Sequence, residues 1–192
     1  MFIPTPEPKL VTAESWNQFA LDIRAVNAAN GWGLEYTEKE IPGYLALIHS
    51  EISEAVMAES ATERAEELCD VIIRAVDLAE LIRPGGFGPM TWMVQSPLES
   101  WGGQLGQAQF LSLHSRVSEI LETYRKSKPW EHAEESMLMQ LGSLTAVTYV
   151  LAATELPEPI KGNARYVVLE SLLFGKLEKN RARGWRHGGR RT

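Results

Sequence analysis

The chain reads as all-α on three observations. Apolar residues recur at helical spacing, runs of alternating β-branched residues are few, and Gly, Pro and Asn-Gly breakers separate the periodic stretches. The first helix is expected to start near Thr12 or Ser15, where Ser15 and Gln18 form a capping box, and to stop at Asn30-Gly31. Trp16, Phe19, Ile23 and Val26 make its apolar face. Pro42 suits the first turn of a second helix running to about Ser60, with Leu45, Ile48, Ile52, Ala55 and Val56 as its stripe. Ser60 and Glu63 cap a third helix that runs to Ile82 before Pro84-Gly85-Gly86, with Leu68, Val71, Ile72, Ala75 and Leu78 inward. Residues 84 to 104 read as a connector that Trp92, Met93 and Trp101 turn into a packed loop. Helices over roughly 105 to 127, 131 to 155 and 164 to 180 complete the chain, with Pro157 and Pro159 interrupting before the last.

Composition narrows the class. With 192 residues, 44% hydrophobic, and a mean hydropathy of −0.18, the chain can bury one core, or two small ones sharing an interface. Cys69 is the only cysteine, which excludes a disulfide framework and a cysteine zinc site and fits a reducing cytoplasm. It is expected to be a small core residue. The proline-rich start does not resemble a signal peptide, and no stretch is expected to span a membrane. The net charge of −6 is asymmetric: from Lys176 to Thr192 seven basic residues face Glu178 alone, so this tail carries +6 and the rest −12. An acidic body with a short basic tail argues against direct nucleic-acid binding.

Glu51/Glu54 and Glu67/Asp70 form two pairs spaced i,i+3 on consecutive helices, each pair bordering an apolar stripe. E-x-x-E by itself says little, since Glu35/Glu38, Glu63/Glu66, Glu119/Glu122, Glu131/Glu134 and Glu155/Glu158 repeat it. Glu67 and Asp70 form the only E-x-x-D, and it follows directly on the next helix. Acids at the edge of a core are costly unless paired or metal-bound, and oxygen donors favour Mg²⁺ or Mn²⁺. The other reading of these acids is two solvated helix faces. Arg74, one turn beyond Asp70, is expected to pair with Asp70 or Asp77, and His49 and His114 to be structural.

Residues Ile48-His49-Ser50-Glu51-Ile52-Ser53-Glu54 match Leu113-His114-Ser115-Arg116-Val117-Ser118-Glu119, with His, both Ser and the last Glu identical in register. This is either a duplicated helical hairpin or a coincidence over a short run. If duplicated, the second copy lacks a metal site, because Arg116 stands where Glu51 stands.

The runs Asn30-Gly31-Trp32, Leu47 to Ala55 and Glu66 to Arg74 resemble the MazG-like group of all-α nucleoside triphosphate pyrophosphohydrolases, whose hallmark is E-x-x-E, a spacer, then E-x-x-D. The closing Lys176-Leu177-Glu178-Lys179-Asn180-Arg181-Ala182-Arg183-Gly184-Trp185-Arg186-His187-Gly188-Gly189 resembles that group's K-x-x-x-N-x-x-R-P-x-x-H-G-G, with Gly184 in place of proline. The resemblance implies one domain, a helical bundle with core helices at 12–82 and 164–180 and a basic tail at 181–192. About eighty residues (84–160) stand where relatives have a short connection, and they hold the degenerate second hairpin. It further implies Mg²⁺- or Mn²⁺-dependent cleavage of a (deoxy)nucleoside triphosphate between the α and β phosphates, in a cytoplasmic homo-oligomer, dimer or tetramer. Glu51, Glu54, Glu67 and Asp70 would hold the metal, with Glu51 and Glu54 catalytic and Glu54 the candidate base. Lys176, Asn180 and Arg183 would grip phosphates. Asn27 and Trp32 would meet the base, although core packing is the plainer expectation for Trp16 and Trp32. A catalytically silent nucleotide-binding or regulatory protein is the alternative. A di-iron carboxylate oxidase is excluded, because no Glu has a His three residues later.

Overall fold

The computed structural model describes residues 7–10, 12–85, 87, 106–126, 130–156 and 163–185. Among these the chain forms six α-helices and no strand: α1 (Ala13–Ala29), α2 (Ile41–Met57), α3 (Ala61–Ile82), α4 (Gln107–Lys126), α5 (Trp130–Glu155) and α6 (Asn163–Ala182). A 3-10 turn, Glu38–Glu40, leads into α2. The expected connector over 84–104 and the prolines at 157 and 159 lie mostly or wholly outside the described residues.

Helix ends follow local hydrogen bonding, with two departures from expectation. Thr12, not Ser15, caps α1: the Thr12 and Ser15 side chains reciprocally cap each other's backbone N–H, while Gln18 donates to Asp22 at 3.0 Å. Helix α2 stops at Met57 rather than near Ser60, because Ala58 turns extended (φ −60°, ψ 133°) and Ser60 is already the N-cap of α3. There Ser60 and Glu63 form the expected capping box. Val56, expected in the apolar stripe of α2, faces outward at 46% exposed. The other expected apolar residues of α1, α2 and α3 are buried, as is Cys69.

Helix α3 is the centre of the assembly. It packs against α2 on one side and α5 on another, with α1 and α6 covering its remaining surface. Trp16 is fully buried and sits 6.0 Å from Phe19, 5.8 Å from Phe87 and 5.4 Å from Tyr149 between ring centroids, so one aromatic cluster joins α1, the segment after α3, and α5. The segment Ala133–Glu155 of α5 is, by length and composition, apolar enough to cross a membrane, contrary to expectation. Its apolarity is accounted for by position, since it packs against α3, α4 and α6 and is largely buried within the bundle.

The two hairpins α2–α3 and α4–α5 pack together, α2 against α4 and α3 against α5. His49 of α2 and His114 of α4, identical in the repeat register, meet each other: their Nδ1 atoms are 2.7 Å apart and the rings stack at 5.0 Å. Burial lowers the pKa of both imidazoles, and His114 lowers that of His49 further, which suits a neutral pair in which one Nδ1–H donates to the other ring. Other residues of the repeat run make local contacts. Ser53 donates to the His49 carbonyl and Ser118 to that of His114, each at 2.9 Å. Glu51 is bonded to Arg74 of α3, and its counterpart Arg116 to Ser143 of α5. The second hairpin is thus part of the core, with α5 lying along α3.

Asp77, on the face of α3 that meets α1, shows how ions are accommodated in this core. It is buried, Arg24 Nη1 donates to its Oδ1 at 2.5 Å, and Asn27 adds a side-chain hydrogen bond. Burial raises its pKa to about 6, with Arg24 and Asn27 pulling the other way. The folded value lies above the ordinary 3.8, so the folded state binds this proton more tightly. Its contribution to stability is therefore greatest below 3.8 and declines as pH rises through about 6. Carbon-detected NMR titration of the Asp77 carboxyl should show a midpoint near 6; a midpoint at or below 3.8 would contradict this balance.

Candidate functional site

The facing surfaces of α2 and α3 bring together three of the four acids singled out in the sequence. Carboxylate oxygens of Glu51, Glu54 and Glu67 lie within 4.8 Å of one another. Helical spacing puts Glu51 and Glu54 on adjacent turns of one face, and packing α2 on α3 sets Glu67 opposite. Their environments differ: Glu51 is buried, Glu67 half-buried and Glu54 exposed, with Ser50 donating to Glu54 at 3.2 Å.

Asp70 does not join this triad. Its Oδ2 accepts a 2.7 Å hydrogen bond from Lys176 Nζ, reaching across from α6. The same ammonium lies 3.7 Å from both Glu66 and Glu67. Arg74 pairs with Glu51 at 2.5 Å rather than with Asp70 or Asp77, because Asp77 is already taken by Arg24 and Glu51 is the buried acid facing it across α2 and α3. Lys176 is therefore held among the acids instead of standing apart as a phosphate grip.

The electrostatics record an excess of negative charge. Burial raises the Glu51 carboxyl against the opposing pull of Arg74, with Asp70 and Glu54 pushing it further up. Burial likewise raises Glu67 against Lys176. For Lys176 burial acts to lower the ammonium, but the Asp70 hydrogen bond and the charges of Asp70, Glu67 and Glu66 outweigh it and raise the pKa. The ammoniums of Lys176 and of Lys179, the latter 3.8 Å from Glu66, and the Arg74 guanidinium are three cations against the five acids Glu51, Glu54, Glu66, Glu67 and Asp70, which stay undercompensated. An oxygen-only donor set on two rigid helices, with charge to spare, fits a hard divalent cation. Glu51, Glu54 and Glu67 are the residues that could hold it.

Two of the remaining expected residues lie around Asp77, seven residues and about 10 Å along α3 from Asp70. Asn27 hydrogen-bonds Asp77, and the Trp32 carbonyl accepts from Arg24 Nη2. Both belong to the network that joins α1 to α3, and Trp32 is half-buried rather than a core residue. Asn180 accepts a 2.7 Å bond from Asn30 Nδ2 through its backbone carbonyl, which ties the end of α6 to the end of α1. Arg183 is exposed just beyond α6.

Sequence reasoning missed Trp185 as a neighbour of this region. Gly31 has φ +86°, and a Cβ added there would come within 3.0 Å of the Trp185 ring, which is itself 60% exposed. The Asn30-Gly31 pair carried a turn signal, but nothing in the sequence showed which side chain would lie on it. Also missed was Glu170, a buried acid on α6 that accepts from the Lys9 and Leu10 N–H groups at 2.5 and 2.8 Å and from the Tyr149 hydroxyl at 3.1 Å. It fastens the N-terminal segment to the bundle and belongs to the scaffold.

No family model matches the chain, and neither a curated protein nor a solved structure matches it.

Gly31→Ala combines an unfavourable left-handed backbone with a contact to the indole. It should destabilise the fold by about 1–2 kcal/mol in urea titration and alter Trp185 fluorescence. Unchanged stability and emission would show that the turn and the ring adjust freely.

Proposed function

We propose that this protein hydrolyses a nucleoside triphosphate between the α and β phosphates, releasing the monophosphate and pyrophosphate, with Mg²⁺ or Mn²⁺ as cofactor. The observation that supports this reading best is the convergence of Glu51, Glu54 and Glu67 across α2 and α3, with Lys176 of the MazG-like closing motif beside them. When bound, a hard divalent cation supplies neutralisation of the polyphosphate and acidification of the attacking water.

The chain's own groups divide the remaining work. Glu51, anchored by Arg74, is the rigid member of the acid set. Glu54 is exposed and is the carboxylate best placed to accept a proton from solvent-derived water, so it is the proposed base. Lys176 can exchange its Asp70 partner for a phosphate oxygen, since both are anionic acceptors for the same ammonium. Exposed Arg183 is free of the acid cluster's packing and offers a planar fork to phosphate. Asn27 and Trp32 lie far enough along α3 to meet the sugar or base end of a substrate whose phosphates are at the acids.

A second reading, a catalytically silent nucleotide-binding protein, draws on the Lys176–Asp70 pair, which partly neutralises the site from within.

A panel of ribo- and deoxyribonucleoside triphosphates with Mg²⁺ or Mn²⁺, scored for monophosphate and pyrophosphate, separates the two. We expect turnover of at least one, with Glu51→Gln and Glu67→Gln each lowering kcat/KM by about 100-fold or more. Lys176→Met should raise KM while leaving the helix in place, whereas truncation before it would also remove buried Leu177. Nucleotide binding with no turnover supports the silent reading. Full activity in both acid variants overturns the assignment.

A further inference from the structure

His49 and His114 stand well inside their helices, where α2 and α4 pack on each other. Ile48 and Leu113, the residues just before them, are fully buried, whereas both imidazoles are half-buried and so within reach of solvent protons. The Nδ1 atoms are 2.7 Å apart, the ring planes differ by 17° and the ring centroids are 5.0 Å apart. That centroid distance is the Nδ1–Nδ1 distance extended by one ring radius at each end, so each Nδ1 points straight at the other.

This geometry fixes how many protons the pair can hold. Facing nitrogens at 2.7 Å have room for one hydrogen between them, so one ring is the Nδ1–H donor and the other presents its Nδ1 lone pair. A first added proton enters at Nε2 of the donor ring, and the Nδ1–H···Nδ1 bond persists and becomes charge-assisted. A second has to go on the acceptor's Nδ1, the one nitrogen left without a hydrogen. Two N–H groups and two positive charges then confront each other, and the hydrogen bond is replaced by repulsion.

The charged groups of the packed helices are engaged elsewhere. Glu51 and Glu54 of α2 and Glu67 of α3 form the acid cluster, with Arg74 on Glu51. On α4 Arg116 bonds Ser143 and borders the same cleft as Glu119, while Glu134 and Glu135 of α5 pair with Arg83. Among the described residues none of them acts on either imidazole: burial and His114 lower the pKa of His49, and burial lowers that of His114.

We propose that His49 and His114 form a proton-operated latch between the two hairpins, closed while the pair holds at most one added proton and released when it takes a second. Both folded values lie below the ordinary 6.5, so the stability that the pair contributes is present above 6.5 and is lost as pH falls below it. The inference is independent of the proposed hydrolysis, since neither metal nor nucleotide enters it.

The test uses the full chain, with the imidazole ¹⁵N resonances assigned by substitution and amide-exchange protection followed along α2 and α4 between about pH 7 and about pH 5. His49→Asn and His114→Asn each put a side-chain amide near the Nδ1 position, and its oxygen can accept from a protonated partner. In the wild type the two rings should titrate as one unit in two steps, and protection of both helices should fall about tenfold or more as the second step is entered. In each variant the remaining imidazole should take its proton about one unit or more above that second step, with protection kept. Asp77 responds to pH in the opposite sense and is common to all three proteins, so the difference between them reports the histidines. If one variant fails to fold, the other decides together with the wild-type titration. Two rings that titrate independently at the ordinary 6.5, protection that does not change in the wild type, or an equal loss in the folded variants overturns the proposal.

Discussion

The neutralisation of the carboxylates on α3 is the constraint around which the molecule is built. This helix is covered on most of its circumference, yet it carries Glu66, Glu67, Asp70, Asp77 and Glu80. Leaving one partner of a buried ion pair alone costs about 3–5 kcal/mol, a large share of a small protein's stability. The acids draw their donors from several neighbours, Lys176 serving Asp70, Glu66 and Glu67 together. Lys176 comes from α6 to Asp70 and Arg24 from α1 to Asp77, while the backbone N–H groups of Gly85 and Phe87 fold back on Glu80. In the opposite sense, Arg74 reaches from α3 to Glu51 of α2. The pairings select which helices lie beside α3 as much as the apolar stripe does.

Hydrophobic burial drives the association, and these polar contacts fix its register. An apolar stripe on α1 can slide along α3 at little cost, whereas the Arg24–Asp77 contact can form at one position only. The same holds at the end of α5, where Arg64 of α3 bonds Glu155 at 2.7 Å and Arg83 bonds Glu134 at 2.6 Å. With both ends held, the aromatic cluster around Trp16 closes between them. Glu170 adds the N-terminal segment through two accepted hydrogen bonds, from the Lys9 and Leu10 N–H groups, and takes a third from Tyr149 of α5.

The two hairpins show how one packing scheme supports opposite electrostatics. Where they meet, His49 packs on His114, and the serine-to-carbonyl bonds repeat within each helix. Elsewhere they diverge. In the first hairpin Glu51 takes a guanidinium from α3; in the second the guanidinium of Arg116 is on α4 and meets a hydroxyl on α5. Reversing the charge at this position removes the acid cluster without disturbing the core, because Ile48, Ile52, Leu113 and Val117 continue to fill it.

The sequence by itself determined the helices and most of the inward faces. Capping at Ser60, Pro42 in the first turn of α2, and the spacing of Trp16, Phe19, Ile23, Leu68 and Ile72 are local features that act within a few residues, so they are readable without knowing the fold. It also placed the two acid pairs on faces able to meet. What tertiary structure decided was partnership. Arg74 had three acids within reach, and only the positions of α1 and α2 sent it to Glu51; Lys176 lies 106 residues from Asp70 along the chain. Asn27 and Asn180 were legible as polar residues, and their use as fasteners was not. Secondary structure is dictated by neighbours in sequence, whereas the compensation of a charge depends on whichever donor the folded chain brings within about 3 Å.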